Sequence, residues 1–103
     1  MSRRDWYGYI YRCLKKYPKA LAAEGTKQSE LALKSITEAL EETAQLQYGS
    51  DRIKFIRAVY IVRSQTIDAA AEKSFTSRRT AQRWANEFIY LCAIKMGFYN
   101  PKK

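Results

Sequence analysis

Histidine is absent from the 103 residues. That excludes His-ligated metals, Ser-His-Asp triads and Cys-His pairs. Cysteine occurs twice, as Cys13 and Cys92, too far apart for a C-x-x-C redox or zinc motif. Acids are scarce, 10 against 19 lysines and arginines, for a formal charge of +9. There is no run of about 18 apolar residues, so no transmembrane helix is expected. The opening does not read as a signal peptide, because Arg3 and Arg4 lead into an aromatic, polar stretch. A cytoplasmic module is expected, with its cysteines reduced. Neither an internal repeat nor a low-complexity segment interrupts the chain.

What is present is enough apolar material for one core. Hydrophobic residues make up 47%, which is not a disordered composition. The charge divides unevenly. Residues 1–50 hold 8 basic and 6 acidic side chains, and residues 51–103 hold 11 basic and 4 acidic. The basic half is the one expected to meet a polyanion, and the balanced half to meet protein. Residues 1–48 therefore read as a helical packing or oligomerisation segment and 49–103 as a DNA-binding segment.

Periodicity predicts an all-α chain. Trp6, Ile10, Cys13 or Leu14, and Tyr17 form one apolar face of a first helix that opens after Ser2 and ends at Tyr17-Pro18. Residues 20–23 read as a short turn. A second helix starts near Thr26 to Ser29 and runs to about Gln47, with Leu33, Ile36 and Leu40 on one side. These three are expected to pack inside the domain or to pair with a second copy, and self-association as a homodimer is the expectation. The Tyr48–Asp51 stretch stops this helix and caps the next. That third helix carries Ile53, Ile56 and Val59 or Tyr60, and Val59–Val62 reads as its buried end. Thr66 caps a short fourth helix reaching Lys73. Ser77 caps a long last helix from Arg78 to about Met96, ended by Gly97. Along it Ala81, Trp84, Phe88, Cys92 and Met96 form one core stripe.

The informative segment is TIDAAAEKSFTSRRTAQRW, residues 66–84. Two short helices with a small residue at their crossing describe a helix-turn-helix. Ile67 and Ala70 face inward, and Ala71 must be small. Ala81 and Trp84 lock the second helix to the core. Ser77, Arg78, Arg79, Gln82, Arg83 and Asn86 are left facing outward, with no acid before Glu87. Arginine suits phosphate and guanine, and carboxamides suit adenine. Hence Arg79, Gln82, Arg83 and Asn86 are the expected base-reading residues. Ser77, Arg78, Thr80, Lys73, Arg52, Lys54, Arg57 and Arg63 are the expected contacts to the DNA backbone.

These residues resemble a known family. Thr66, Ile67, Ala71, Ser77, Arg78 and Thr80 fall on the pattern T-L-x-x-I-A-x-x-L-G-I-S-R-x-T-V of sigma-factor region 4. Ser74, Phe75 and Thr76 depart from it at the turn. A closer similarity is to phage late-gene transcriptional activators of the RinA and ArpU type. Their S-x-R-T-A-x-R-I core is similar to the stretch from Ser77 to Trp84. Their F-I-x-x-Y-Y segment resembles the helix with Phe55, Ile56 and Tyr60, and their L-x-x-Y-P start resembles Leu14 to Pro18. The resemblance implies a sigma region 4-like fold, double-stranded DNA at a phage promoter as ligand, and contact with host RNA polymerase as an activator.

Other readings are blander or differ in class. The tyrosines at 7, 9 and 11 beside Trp6 suit core and interface packing better than base stacking. Asp68, Glu72 and Glu87 do not make a nuclease, which would cluster its carboxylates around metal. No catalytic residue, metal or cofactor is expected. A small terminase-like subunit of phage packaging would share the helix pair but assemble into a ring. A helical adaptor would use the basic face to bind an acidic protein.

Overall fold

The computed structural model describes residues 3–62, 66–73 and 76–99, with side chains from Trp6 onward. The expectations placed on Ser2, Arg63, Ser64, Gln65, Ser74, Phe75 and the tail after Tyr99 lie outside these residues. The described chain is all-α. Its helices are α1 (Arg3–Lys16), α2 (Lys19–Glu24), α3 (Lys27–Ala44), α4 (Gly49–Ile56), a π-helical turn (Arg57–Ile61), α5 (Ile67–Lys73) and α6 (Arg78–Met96). No strand occurs among the described residues.

Local chemistry sets the ends of these helices. Thr26 opens α3 with a capping box: its Oγ1 accepts from the Ser29 amide, and Ser29 Oγ accepts from the Thr26 amide, each at 3.0 Å. Thr66 Oγ1 accepts from the Ala69 amide at 3.1 Å, so it caps α5 as expected. Ser77 Oγ accepts from the Thr80 amide at 3.1 Å and caps α6. Gly97, at φ +84°, ends α6 in the left-handed region. There the Gly97 amide donates to Ile94 O and the Phe98 amide to Ala93 O, the two bonds of a Schellman motif.

The start of α4 differs from expectation. Asp51 is already inside the helix, and the cap position is Tyr48 in a left-handed conformation, without a side-chain cap. Gly49 is buried there because α3 ends against it. A Cβ on Gly49 would lie 2.1 Å from the Ala44 carbonyl oxygen. Residues 20–23, expected as a turn, belong to the helix α2, which ends at Gly25 (φ +64°).

One core joins both halves of the sequence. It takes Trp6, Ile10, Cys13 and Leu14 from α1, Ala32, Ile36 and Ala39 from α3, Phe55 and Ile56 from α4, and Ala70 and Ala71 from α5. α6 contributes Ala81, Trp84, Ala85, Phe88, Ile89, Cys92, Ala93 and Met96. α6 is the central helix, packed against α1, α3, α4 and α5. Both cysteines are buried free thiols, and burial pushes both pKa values up.

The structure decides where two apolar stretches pack. Ile36 is wholly buried, and Leu33 and Leu40 pack half-buried on the same core. The α3 seam therefore packs within the domain, the first of the two expected alternatives. The stretch after Ile56 is not a buried α-helical end. It is a π-helical turn, and Val62 beyond it is 63% exposed. The wide turn brings Tyr60 against α1, where its ring centroid is 5.3 Å from that of Tyr11.

Candidate nucleic-acid interface

α5 and α6 form a packed helix pair joined by residues 74–77. Ala70 and Ala71 are buried, and Ile67 is half-buried, so α5 turns the expected side inward. On the Ala71 side the amide of Thr76 donates back to the Ala71 carbonyl at 3.1 Å. Burying Ala81 and Trp84 fixes the rotation of α6. Its other side then carries Arg78, Arg79, Gln82 and Arg83 exposed, with Asn86 half-exposed beside them.

These five residues come together along one open groove of about 1130 Å³. The same groove continues onto Glu87, Tyr90, Leu91 and Ile94 of α6, with Glu42 and Leu46 near the end of α3. Its character changes along its length. The end near Ser77 is basic, and the other end is apolar, with Leu46 47% and Ile94 39% exposed.

The acids at its edge are held by cations. Lys95 Nζ donates to Glu42 at 2.7 Å, and this bond raises the Lys95 pKa. Arg52 Nη1 donates to Glu87. Arg83 Nε lies 3.9 Å from Glu87, at the limit of an ion pair, and Arg78 Nε lies 3.1 Å from Asp68. Both pairs are exposed and therefore weak. Arg79 has no ion pair among the described residues. The basic end therefore keeps an uncompensated positive field.

The expected site residues separate accordingly. Arg79, Gln82 and Arg83 project together. Asn86 is partly turned toward α1, where its Oδ1 lies 3.5 Å from the Tyr7 hydroxyl. Ser77 and Thr80 bond to each other, with Oγ atoms 3.0 Å apart, in addition to the cap. Lys54, Arg57 and Lys73 are exposed but do not line the groove. Arg52 leaves the expected set of backbone contacts. Its side chain is 11% exposed, its guanidinium lies over the Trp84 ring at 5.6 Å, and its Nε donates to Gln47 O at 2.9 Å. An arginine held on three sides within the protein is a structural group.

Leu46, Tyr90, Leu91 and Ile94 were not expected at the site. Their signal was available in the sequence. Arg83, Glu87, Tyr90 and Ile94 recur at helical spacing beside the core stripe, and the stripe is polar at one end and apolar at the other. The chain matches no protein-family model, no curated protein and no solved structure. Among the described residues no group of side chains could hold a metal ion, and no helix is long and apolar enough to cross a membrane.

Proposed function

We propose that the protein binds double-stranded DNA in a sequence-specific manner through α5 and α6 as a helix-turn-helix. The observation that carries this reading is the joint exposure of Arg79, Gln82 and Arg83 just beyond the Ser77 cap, beside Glu42 and Glu87, which Lys95 and Arg52 hold. α6 enters the major groove by this first part of its length. Arg79 and Arg83 present forked donors to guanine, and Gln82 offers both donor and acceptor to adenine. Asn86, steadied by Tyr7, reads at the margin. Arg78, Lys73, Lys54 and Arg57 are the nearby cations left for phosphate. With the resemblance to phage late-gene activators, the role proposed is a phage transcription regulator, acting in the host cytoplasm as an activator that touches host RNA polymerase.

Selection from a random duplex library tests this. One enriched motif is expected, with Arg79→Ala and Arg83→Ala each weakening that site by about 1–3 kcal/mol while leaving the fold intact. No enrichment, or unchanged binding by both folded variants, overturns the reading.

A second reading has its own observation. The apolar half of the groove, with Leu46, Leu91 and Ile94, fits an adaptor that docks a partner protein. Duplex binding that stays at background from low to moderate salt favours the adaptor. A terminase-like ring predicts an octamer or larger in light scattering, whereas the regulator predicts a monomer or dimer.

A further inference from the structure

A second cleft, of about 510 Å³, opens between α1 and the π-helical turn. Tyr11, Arg12, Lys15, Val59, Tyr60 and Ile67 line it. Arg12 and Lys15 are exposed, and neither has an ion pair among the described residues. Glu24, on the neighbouring α2, is paired with Lys16 at 2.8 Å. Two cations thus face one concave surface, and no acid among the described residues lines it.

The phenols give that surface neutral donors. The Tyr11 hydroxyl lies 3.4 Å from that of Tyr60. Both phenols are protonated at neutral pH, and burial, which pushes the Tyr11 pKa up to about 12 and raises that of Tyr60, extends this further into alkali. Stacking of a base is disfavoured, because the Tyr11 ring already has neighbours. Its centroid is 5.0 Å from Tyr7 and 5.3 Å from Tyr60. Cations and hydroxyl donors around a floor of occupied rings suit a phosphate better than a nucleobase.

The cleft also adjoins the α6 ridge. Tyr11 lies against Tyr7, whose hydroxyl is 3.5 Å from Asn86 Oδ1. A file of side chains therefore runs from the proposed base-reading surface to Arg12 and Lys15. π-Helical turns are rare and often mark functional sites, and this one supplies Val59 and Tyr60 to the cleft.

We propose that the cleft between α1 and the π-helical turn binds phosphodiesters of the duplex lying against α6, with Arg12 and Lys15 as the contacts. This rests on the DNA-binding reading of α6 and carries the footprint onto the first helix.

The test is fluorescence anisotropy with a random-sequence duplex over a series of KCl concentrations. Each phosphate contact contributes about 0.9 to the slope of log K against log salt. The Arg12→Gln/Lys15→Gln double variant is expected to lower the slope by about 1.8. A Lys27→Gln/Lys34→Gln double variant removes equal charge from α3 and is expected to leave the slope unchanged. A slope in the first variant equal to wild type, or lowered no more than in the α3 control, overturns the cleft assignment. If Arg79→Gln lowers affinity in that same experiment, the α6 reading survives alone. No salt-dependent duplex binding by the wild type overturns both.

Discussion

Arg52 of α4 and Glu87 of α6 form an ion pair in which the arginine is sequestered and the carboxylate stands at the edge of the basic groove. The arginine is held by Glu87, by the Gln47 carbonyl and by the Trp84 ring, so it ties α4 to α6 from within. Arg52→Ala is expected to cost about 1.5–3 kcal/mol, the range for charged hydrogen bonds lost at a shielded site. Glu87→Ala is expected to cost no more than about 1 kcal/mol, since its carboxylate is half exposed and Arg52 keeps its other two partners. Urea unfolding followed by circular dichroism separates the two values. Equal losses would show that the ion pair alone carries the effect.

Gly49 has no room for a side chain. Gly49→Ala drives a methyl group into the Ala44 carbonyl and forces α3 and α4 apart. A loss of about 1–3 kcal/mol is expected, the range for overpacking. Gly25→Ala is a useful contrast. It meets no atom within 4 Å, yet it sits at φ +64°, so its cost is conformational, about 1 kcal/mol. A thermal melt of Gly49→Ala matching wild type would refute the steric account.

Ser77 caps the helix that presents the groove. Ser77→Ala is expected to destabilise by about 0.5–2 kcal/mol, and Ser77→Gly by only a few tenths. The difference arises because glycine leaves the backbone amides open to water. Chemical denaturation of both variants checks the order, and alanine proving the milder change would contradict it.

Stability is expected to fall in alkali. Burial raises Cys13 and Cys92 above the ordinary thiol value of 9.0. Tyr9 and Tyr11 are likewise pushed up to about 12 from 10.0. The unfolded chain releases these protons first, so it binds fewer protons than the folded chain in that range. Their contribution is complete below pH 9 and is lost as pH rises through the folded values. Urea midpoints should be level from pH 7 to 8.5 and decline by pH 11. Cys92→Ala should show a shallower early decline, and a flat wild-type profile would count against buried neutral thiols.

Much of this architecture was legible from periodicity and caps. Thr26, Thr66, Ser77 and Gly97 mark helix ends in the sequence because each supplies a specific hydrogen bond or a tolerated φ. The stripe Trp84-Phe88-Cys92-Met96 was legible because four-residue spacing places all four on one side. The π-helical turn was not, since nothing in RAVYI separates a wide turn from a normal one. Arg52 was misjudged for a related reason. Its charge is visible in the sequence, but the Trp84 ring beneath it comes from an element more than thirty residues away. At the site, exposure of Arg79, Gln82 and Arg83 follows from burying Ala81 and Trp84. The apolar continuation through Leu91 and Ile94 depends on where α3 ends, which local pattern does not fix.

The wide turn at Arg57–Ile61 has a consequence for how this chain tolerates change in length. An α-helix advances about 100° per residue, whereas a π-helical turn accommodates one extra residue in the same circuit. Deleting Ala58 would let the segment rewind as α-helix, a loss of length that few other places in the chain would absorb. Because the extra residue is the one removed, the residues after it would keep their direction, so Tyr60 would stay against Tyr11 and α6 would stay in place.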